Sequence, residues 1–104
     1  MARDALTHRV IVEAPANADL SDAVRWYRKV RPGLEADFRL CLRATLERLA
    51  RHPASCPVVA RYVRRALVYR FPYAVFNRVD DGAVRVFGVL HTRRHPQTRQ
   101  ARGH

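Results

Sequence analysis

The sequence predicts an α+β fold in which a hairpin of two helices packs on one face of a small antiparallel sheet, in the order β-α-α-β-β-β. Two observations lead to this prediction. In the first half of the chain, apolar residues recur at helical spacing in two consecutive segments. In the second half, β-branched and aromatic runs alternate with turn residues. Two amphipathic helices joined by a short loop form an antiparallel hairpin, which buries its apolar stripe against a sheet.

The first strand is predicted at Val10 to Val12, before Ala14-Pro15. Asn17 or Asp19 is expected to cap the first helix, because a short side-chain oxygen accepts from the free N–H groups there. Arg31-Pro32-Gly33 ends this helix, since proline disfavours helical geometry before it and glycine permits the turn. The apolar stripe of the first helix consists of Leu20, Ala23, Val24 and Tyr27.

The second helix, from about Leu34 to Ala50, carries the clearest periodic pattern in the chain. His52-Pro53 ends it, and Leu40 and Leu46 are expected to widen its apolar stripe. Cys41 is then a small core residue rather than a nucleophile. The stripe itself consists of Leu34, Phe38, Cys41, Leu42, Thr45 and Leu49.

Three β segments follow, at Val63 to Phe71, Tyr73 to Val79 and Ala83 to His91. Asp80-Asp81-Gly82 is a hairpin turn, because Asp-Gly tolerates the positive φ that a tight turn needs. In the last strand both alternating sets contain apolar residues, so this strand is expected to be central and covered on both faces.

The 104 residues are predicted to form a single domain, 1–104, with a basic tail from about 92 to 104. No apolar run reaches the ~20 residues that span a bilayer, and no apolar leader is present, so we expect a cytoplasmic protein with no membrane contact. The two cysteines, Cys41 and Cys56, cannot build a disulfide framework. No cofactor and no metal are expected, because no zinc-type cysteine pair exists and nearby acids do not complete a His91–His95 site.

Charge is unevenly distributed along the chain. Twenty basic residues face nine acids, for a formal net charge of +11, and residues 52–104 hold ten arginines against only Asp80 and Asp81. This excess suits a polyanionic partner, either RNA, DNA or an acidic protein segment. An arginine-rich surface without a partner is the alternative.

Candidate site residues concentrate in the second half of the chain. Arginine forks bind phosphate bidentately, and a cluster can stabilise a pentavalent phosphorane without a metal. If Val63, Ala66 and Val68 face inward, Arg64, Arg65 and Arg70 mostly face solvent, unless a bulge changes the alternation. His91 is a candidate general acid or base, with a structural role at the sheet edge as the alternative. The candidates are Arg61, Arg64, Arg65, Arg70, Tyr73, Arg78, His91, Arg93, Arg94 and His95.

Several segments, in this order, resemble the RelE/ParE superfamily of bacterial type II toxins over roughly residues 9–96. The β-α-α-β-β-β order is the same. The segments are Ala18-Asp19-Leu20 with Trp26-Tyr27, Arg31-Pro32-Gly33-Leu34 with Phe38, Arg64 to Leu67, Phe71 to Phe76, and Val89 to Pro96.

The resemblance implies a toxin that inhibits growth and is neutralised by a cognate antitoxin encoded beside it. RelE-like members cut mRNA in the ribosome, whereas ParE-like members act on DNA gyrase and are not nucleases. By position, Arg65 and Arg93 coincide with basic RelE-type residues. Leu67 and Ala74 stand where that pattern has a lysine and an arginine, and Arg99 is near the place of its tyrosine. These departures favour the ParE-like gyrase poison of the plasmid stabilisation branch.

Three functions therefore stay open: a gyrase poison, a ribosome-dependent mRNA endonuclease, and an inactive remnant or basic binding module. The endonuclease would use Arg65, His91 and Arg93 as catalytic groups. The partners implied are the antitoxin and either gyrase or the ribosome with mRNA, in a homodimer or a toxin–antitoxin heterotetramer. The residues expected to bind the target or a polyanion are Arg61, Arg64, Arg65, Arg70, Tyr73, Arg93 and Arg94.

Overall fold

A computed structural model describes residues 7–94 and confirms the predicted α+β class, with both helices packed against one face of a sheet. Within this part of the chain, no helix is long and apolar enough to cross a membrane. A short 3₁₀ turn, Pro53–Ser55, follows the second helix. The elements are β1 (Arg9–Val12), α1 (Ala14–Val30), α2 (Leu34–Arg51), β2 (Val58–Ala60), β3 (Val63–Leu67), β4 (Tyr73–Asp80) and β5 (Ala83–His91).

The sheet has five strands in the order β1-β5-β4-β3-β2, and it is mixed rather than purely antiparallel. Hairpin connections make β2 to β5 successively antiparallel, whereas β1 pairs with β5 in parallel. The sequence does not predict that β1 is parallel to β5. No short turn joins the two strands, because all the other elements lie between them in the chain. The additional strand, β2, was not predicted, since it is only three residues long and irregular in its pairing with β3.

Helix α1 begins earlier than predicted. Glu13 is its N-cap residue and makes no side-chain cap hydrogen bond, while Pro15 lies in the first turn, where its missing N–H has no cost. Asn17 and Asp19 therefore lie inside the helix, and their predicted capping role is wrong. The side-chain amide of Asn17 instead donates to the carbonyl oxygen of Val12 at 3.3 Å.

The main core lies between the helical hairpin and the sheet. Phe38 and Leu49 are fully buried, which confirms the stripe predicted for α2. Leu40 is 62% exposed, so its predicted place in the stripe is wrong. Cys56 is buried and Cys41 partly buried, and both are free thiols. Aromatic rings with centroids 5.0 to 6.0 Å apart fill the centre, namely those of Tyr27, Phe38, Phe71 and Tyr73.

The β4–β5 hairpin has the predicted turn and a bulge that the sequence did not predict. Asp81 and Gly82 both take positive φ, 56° and 75°, as the tight turn requires. Further along, Phe76 pairs with Gly88 while its neighbour Asn77 pairs with Val86, which leaves Phe87 as the extra residue.

The bulge shifts the alternation of side chains along β5, so the simple alternation predicted for this strand is wrong beyond it. The residues of β5 in the core beneath the helices are Val84, Val86 and Val89. The face of the sheet without helices, here called the helix-free face, carries a second cluster. Its members are the buried Val59, Ala74 and Phe76 and the partly buried Val63, Phe87 and Leu90. Strand β5 is thus internal to the sheet, and apolar residues cover it on both faces.

Candidate functional site

The structure separates the candidate residues onto the two faces of the sheet. Arg65 pairs with Phe76, and directly paired residues of neighbouring strands point to the same face, so Arg65 lies on the helix-free face. His91 pairs with Tyr73, whose ring packs against Phe38 beneath the helices. Arg65 and His91 therefore do not meet.

Arg65 is only 8% exposed, so the expectation that it faces solvent is wrong. It lines a cleft of about 290 Å³ together with Arg48 and Ser55 at the carboxyl end of α2. Arg64, on the opposite face, donates from Nη1 to the carbonyl oxygens of Cys56, at 2.5 Å, and Ala54, at 3.4 Å. Arg64 thus holds the 3₁₀ turn in place, and its guanidinium is already engaged within the protein.

Arg61 and Arg70 occupy the turns at the two ends of β3. Both adopt the left-handed region, with φ of 47° and 73°, and both are exposed. The guanidinium carbon of Arg70 lies 5.7 Å from the centroid of the Phe71 ring. Each of these arginines adjoins a tyrosine that sequence reasoning did not select, Tyr62 at 79% exposure and Tyr69 at 76%. The signal was present in the sequence as two Arg–Tyr neighbours flanking one strand.

The carboxyl end of β5 is fastened to α1 through Arg94. Its Nη2 donates to the hydroxyl oxygen of Tyr73 at 2.6 Å, and its guanidinium carbon lies 5.5 Å from the Trp26 ring. Nδ1 of His91 accepts hydrogen bonds from the backbone N–H groups of Arg93 and Arg94, both at 3.1 Å. This arrangement places the proton of a neutral His91 ring on Nε2.

A cleft of about 330 Å³ lies beside this cluster, between α1 and the end of β5, and Asp19, Asp22 and His91 are among its lining residues. Burial raises the pKa of Tyr27 to about 12, and the neighbouring Tyr73 adds to the shift. Burial also raises the pKa of Tyr73, although Arg94 opposes that change. Both phenols therefore stay protonated at neutral pH and act as hydrogen-bonding groups.

Two of the positions at which the resemblance to RelE-type nucleases fails, Leu67 and Ala74, lie beside Arg65. Leu67 and Ala74 pair with each other on the helix-free face, where Leu67 is 52% exposed and Ala74 is buried. Neither can donate a proton or stabilise charge. His95, Arg99 and the tail from 95 to 104 lie outside the described residues. Among residues 7–94, no three His, Cys, Asp or Glu side chains are grouped so as to hold a metal ion.

Comparisons with known proteins agree with this fold. The sequence profile of a family described as "ParE toxin of type II toxin-antitoxin system, parDE" matches residues 10–96. A solved chain from the chromosomal ParDE TA system from P. aeruginosa superposes with a TM-score of 0.73 at 16% identity. The match covers 82% of this chain and 96% of that chain, and at this identity it supports the fold alone. No curated protein sequence matches.

Proposed function

The chain belongs to the ParE family of type II toxins, and we propose that it poisons DNA gyrase and is neutralised by a cognate antitoxin. The observation that carries the choice of target is the surroundings of Arg65. Cleavage of a phosphodiester needs a general base, a charge-stabilising group and an acid for the leaving oxygen within reach of one phosphate. The register partners Leu67 and Ala74 beside Arg65 supply none of these, and the described residues lining its cleft add the charge of Arg48 but no histidine or carboxylate.

The position of His91 supports the same choice. Its Nδ1 already accepts two backbone hydrogen bonds, and its ring lies on the opposite face of the sheet from Arg65. A poison that acts by binding needs no such cluster, because it makes and breaks no bond itself. Arg93 then contributes charge to the binding surface rather than to a chemical step.

For the antitoxin, the grooves on the two sides of α2 offer an apolar docking surface with an arginine in each groove. The groove between α1 and α2 measures about 390 Å³, and that between β1 and α2 about 310 Å³. Arg39 lines the first groove, and Arg43 lines the second together with Glu47. An acidic amphipathic segment that folds on binding would satisfy both the apolar floor and the charge. The apolar lining residues are Leu20, Val24 and Leu42 in the first groove, and Val10, Val12 and Leu46 in the second.

Two assays run side by side test the target. Purified protein is added to gyrase with supercoiled DNA, and separately to translating ribosomes with a defined mRNA. We expect gyrase cleavage complexes to accumulate and the mRNA to stay intact. In cells induced without antitoxin, DNA replication should stop before translation.

Variants of Arg65 and Arg93 distinguish the alternatives. If the protein is a gyrase poison, Arg65→Ala and Arg93→Ala should change its affinity for gyrase or its folding. No loss of a cleavage rate is expected, because the toxin itself cleaves no bond. Codon-positioned mRNA cuts that vanish in both variants, with gyrase unaffected, would establish the endonuclease instead. Activity in neither assay would indicate a remnant or a basic binding module.

A further inference from the structure

The middle of the chain contains a long segment without acidic residues. Between Glu47 and Asp80 there is no aspartate or glutamate, and residues 48–79 include seven arginines. This segment forms the end of α2, the 3₁₀ turn, β2, β3 and nearly all of β4. The part of the sheet from β2 to β4 is therefore built from a segment that is basic and contributes no carboxylate before Asp80.

At the margin of this part of the sheet, two tyrosine–arginine pairs flank β3. Tyr62 and Tyr69 have the highest exposures among the large hydrophobic residues described, 79% and 76%. Each adjoins an arginine in the left-handed region, Arg61 at one end of β3 and Arg70 at the other. An L-residue there adopts a sparsely populated backbone conformation, and such residues concentrate at functional sites. Exposed rings next to such turns mark a contact surface rather than a packing site.

Arg78 extends this surface onto the helix-free face. The β3–β4 register pairs Arg64 with Asn77, so the turn that carries Tyr62 lies beside Arg78. The Arg78 guanidinium is held over the Phe87 ring at 5.6 Å, and this contact orients it without neutralising its positive charge. Its register partner Arg85 forms ion pairs with the nearby carboxylates of Glu13 and Asp80.

We propose that this margin, consisting of Arg61, Tyr62, Tyr69, Arg70 and Arg78, binds single-stranded nucleic acid. Bases stack on the two tyrosine rings, while the phosphates pair with the three guanidinium groups. The seven-residue separation of the tyrosines spans at most about 23 Å of extended chain, which a strand of several nucleotides covers.

The exposed rings select this ligand over other polyanions. A duplex would use the arginines and leave the tyrosines without a partner, because its bases are stacked inside. An acidic peptide offers charge and lacks stacked π-faces. The proposal goes beyond gyrase poisoning, since binding at this margin requires neither gyrase nor antitoxin.

The test measures binding of fluorescein-labelled (dT)20 to the purified full chain at low salt, beside a hairpin duplex of equal charge. We expect tighter binding of (dT)20 than of the duplex. Tyr62→Ala and Tyr69→Ala should each weaken (dT)20 binding by roughly tenfold, as loss of base stacking does elsewhere. Tyr62→Phe and Tyr69→Phe should keep it, because the stacking ring remains.

Two further variants serve as matched controls. Arg43→Ala removes one positive charge from α2, and Leu40→Ala removes an exposed apolar side chain from the same helix. Arg70→Ala should weaken (dT)20 binding clearly more than Arg43→Ala, and Leu40→Ala should leave binding unchanged. Ultraviolet crosslinking of (dT)20 to the unaltered protein should label Tyr62 or Tyr69.

Several results would overturn the proposal. These are no (dT)20 binding at low salt, equal affinity for the duplex, alanine variants that bind like the wild type, or phenylalanine variants that bind like alanine. Competition by polyglutamate as effective as that by (dT)20 would indicate an acidic protein partner instead. If a tyrosine variant melts early, the crosslinking decides, and crosslinks confined to other residues would contradict the site.

Discussion

The Asp19 carboxylate on α1 accepts a hydrogen bond from the backbone N–H of Val89 on β5, at 2.9 Å. Strand β1 pairs with β5 only from Ala83 to Val86, so beyond Val86 this edge of β5 has no neighbouring strand. Asp19 therefore supplies the acceptor that a longer β1 would have provided. The contact ties the helical hairpin to the sheet just past the Phe87 bulge.

Replacing Asp19 by alanine should destabilise the fold by about 1–3 kcal/mol, because it leaves the partly buried Val89 N–H without an acceptor. Urea denaturation measures the free energy of unfolding. Asp22→Ala is the matched control, since Asp22 is exposed and its ion pair with Arg25, at 3.5 Å, lies at the surface. Equal losses in the two variants would show that the Asp19–Val89 bond contributes nothing specific.

The sequence predicted those elements whose signals are local. Ala83–His91 and its Asp-Gly turn follow from alternation and from the positive φ that the turn requires. The stripe of α2 follows from its 3.6-residue spacing, except at Leu40, where apolar character did not mean burial. Asp19 looked like a helix cap because its long-range partner on β5 has no trace in the local sequence.

The candidate site was less predictable, because it depends on which residues pair between neighbouring strands and therefore on which face of the sheet each side chain lies. An arginine in a strand faces either side according to the register, and the register of β3 with β4 placed Arg65 opposite Phe76 on the helix-free face. The bulge at Phe87 likewise changed which residues of β5 lie on each face of the sheet. Composition did identify the basic half of the chain, and Arg70 is exposed there as expected.

Phe38→Ala should lower the free energy of unfolding by roughly 3–5 kcal/mol, because Phe38 is fully buried among aromatic rings and its loss leaves a cavity. In a domain of this size, that is a large share of the total stability. Leu40→Ala, on the same helix but exposed, should stay within about 0.5 kcal/mol of the wild type. Chemical denaturation of both variants measures the difference, and similar curves for the two would contradict the assigned core.

Stability should fall as the pH rises from about 10 towards 12. Burial raises the pKa of Tyr27 to about 12, whereas an unfolded tyrosine titrates near 10. Between these values the unfolded chain has lost the proton that the native state retains, so the native state becomes progressively less favoured. Below pH 10 the contribution is fully present.

Melting temperatures between pH 8 and 12, followed with tyrosinate absorbance, test this dependence. Tyr27→Phe should flatten the decline, because the ring remains and the titrating hydroxyl is gone. Tyr69→Phe is the control, since that phenol is 76% exposed. A decline that is unchanged in Tyr27→Phe would assign the alkaline transition to another group.

The antitoxin complex should depend on apolar burial as well as on charge. We predict that 0.5 M salt weakens binding of the antitoxin and leaves clear residual affinity, because the grooves beside α2 have apolar floors that salt does not screen. Arg39→Glu with Arg43→Glu should slow association and reduce its salt dependence. Leu20→Ala with Val24→Ala should weaken the complex at both low and high salt.

Controls for this prediction lie on the opposite side of the sheet. Leu67→Ala removes a half-exposed apolar side chain from the helix-free face, and Arg78→Glu reverses a charge on the same face, where the Arg78 guanidinium lies over the Phe87 ring. Neither should change antitoxin affinity by as much as the groove variants, measured by calorimetry with the protein encoded beside this chain. Complete dissociation at 0.5 M salt would show a purely electrostatic contact. Larger effects from the Leu67 and Arg78 changes would place the antitoxin on the helix-free face, because the affinity would then depend on that surface and not on the grooves.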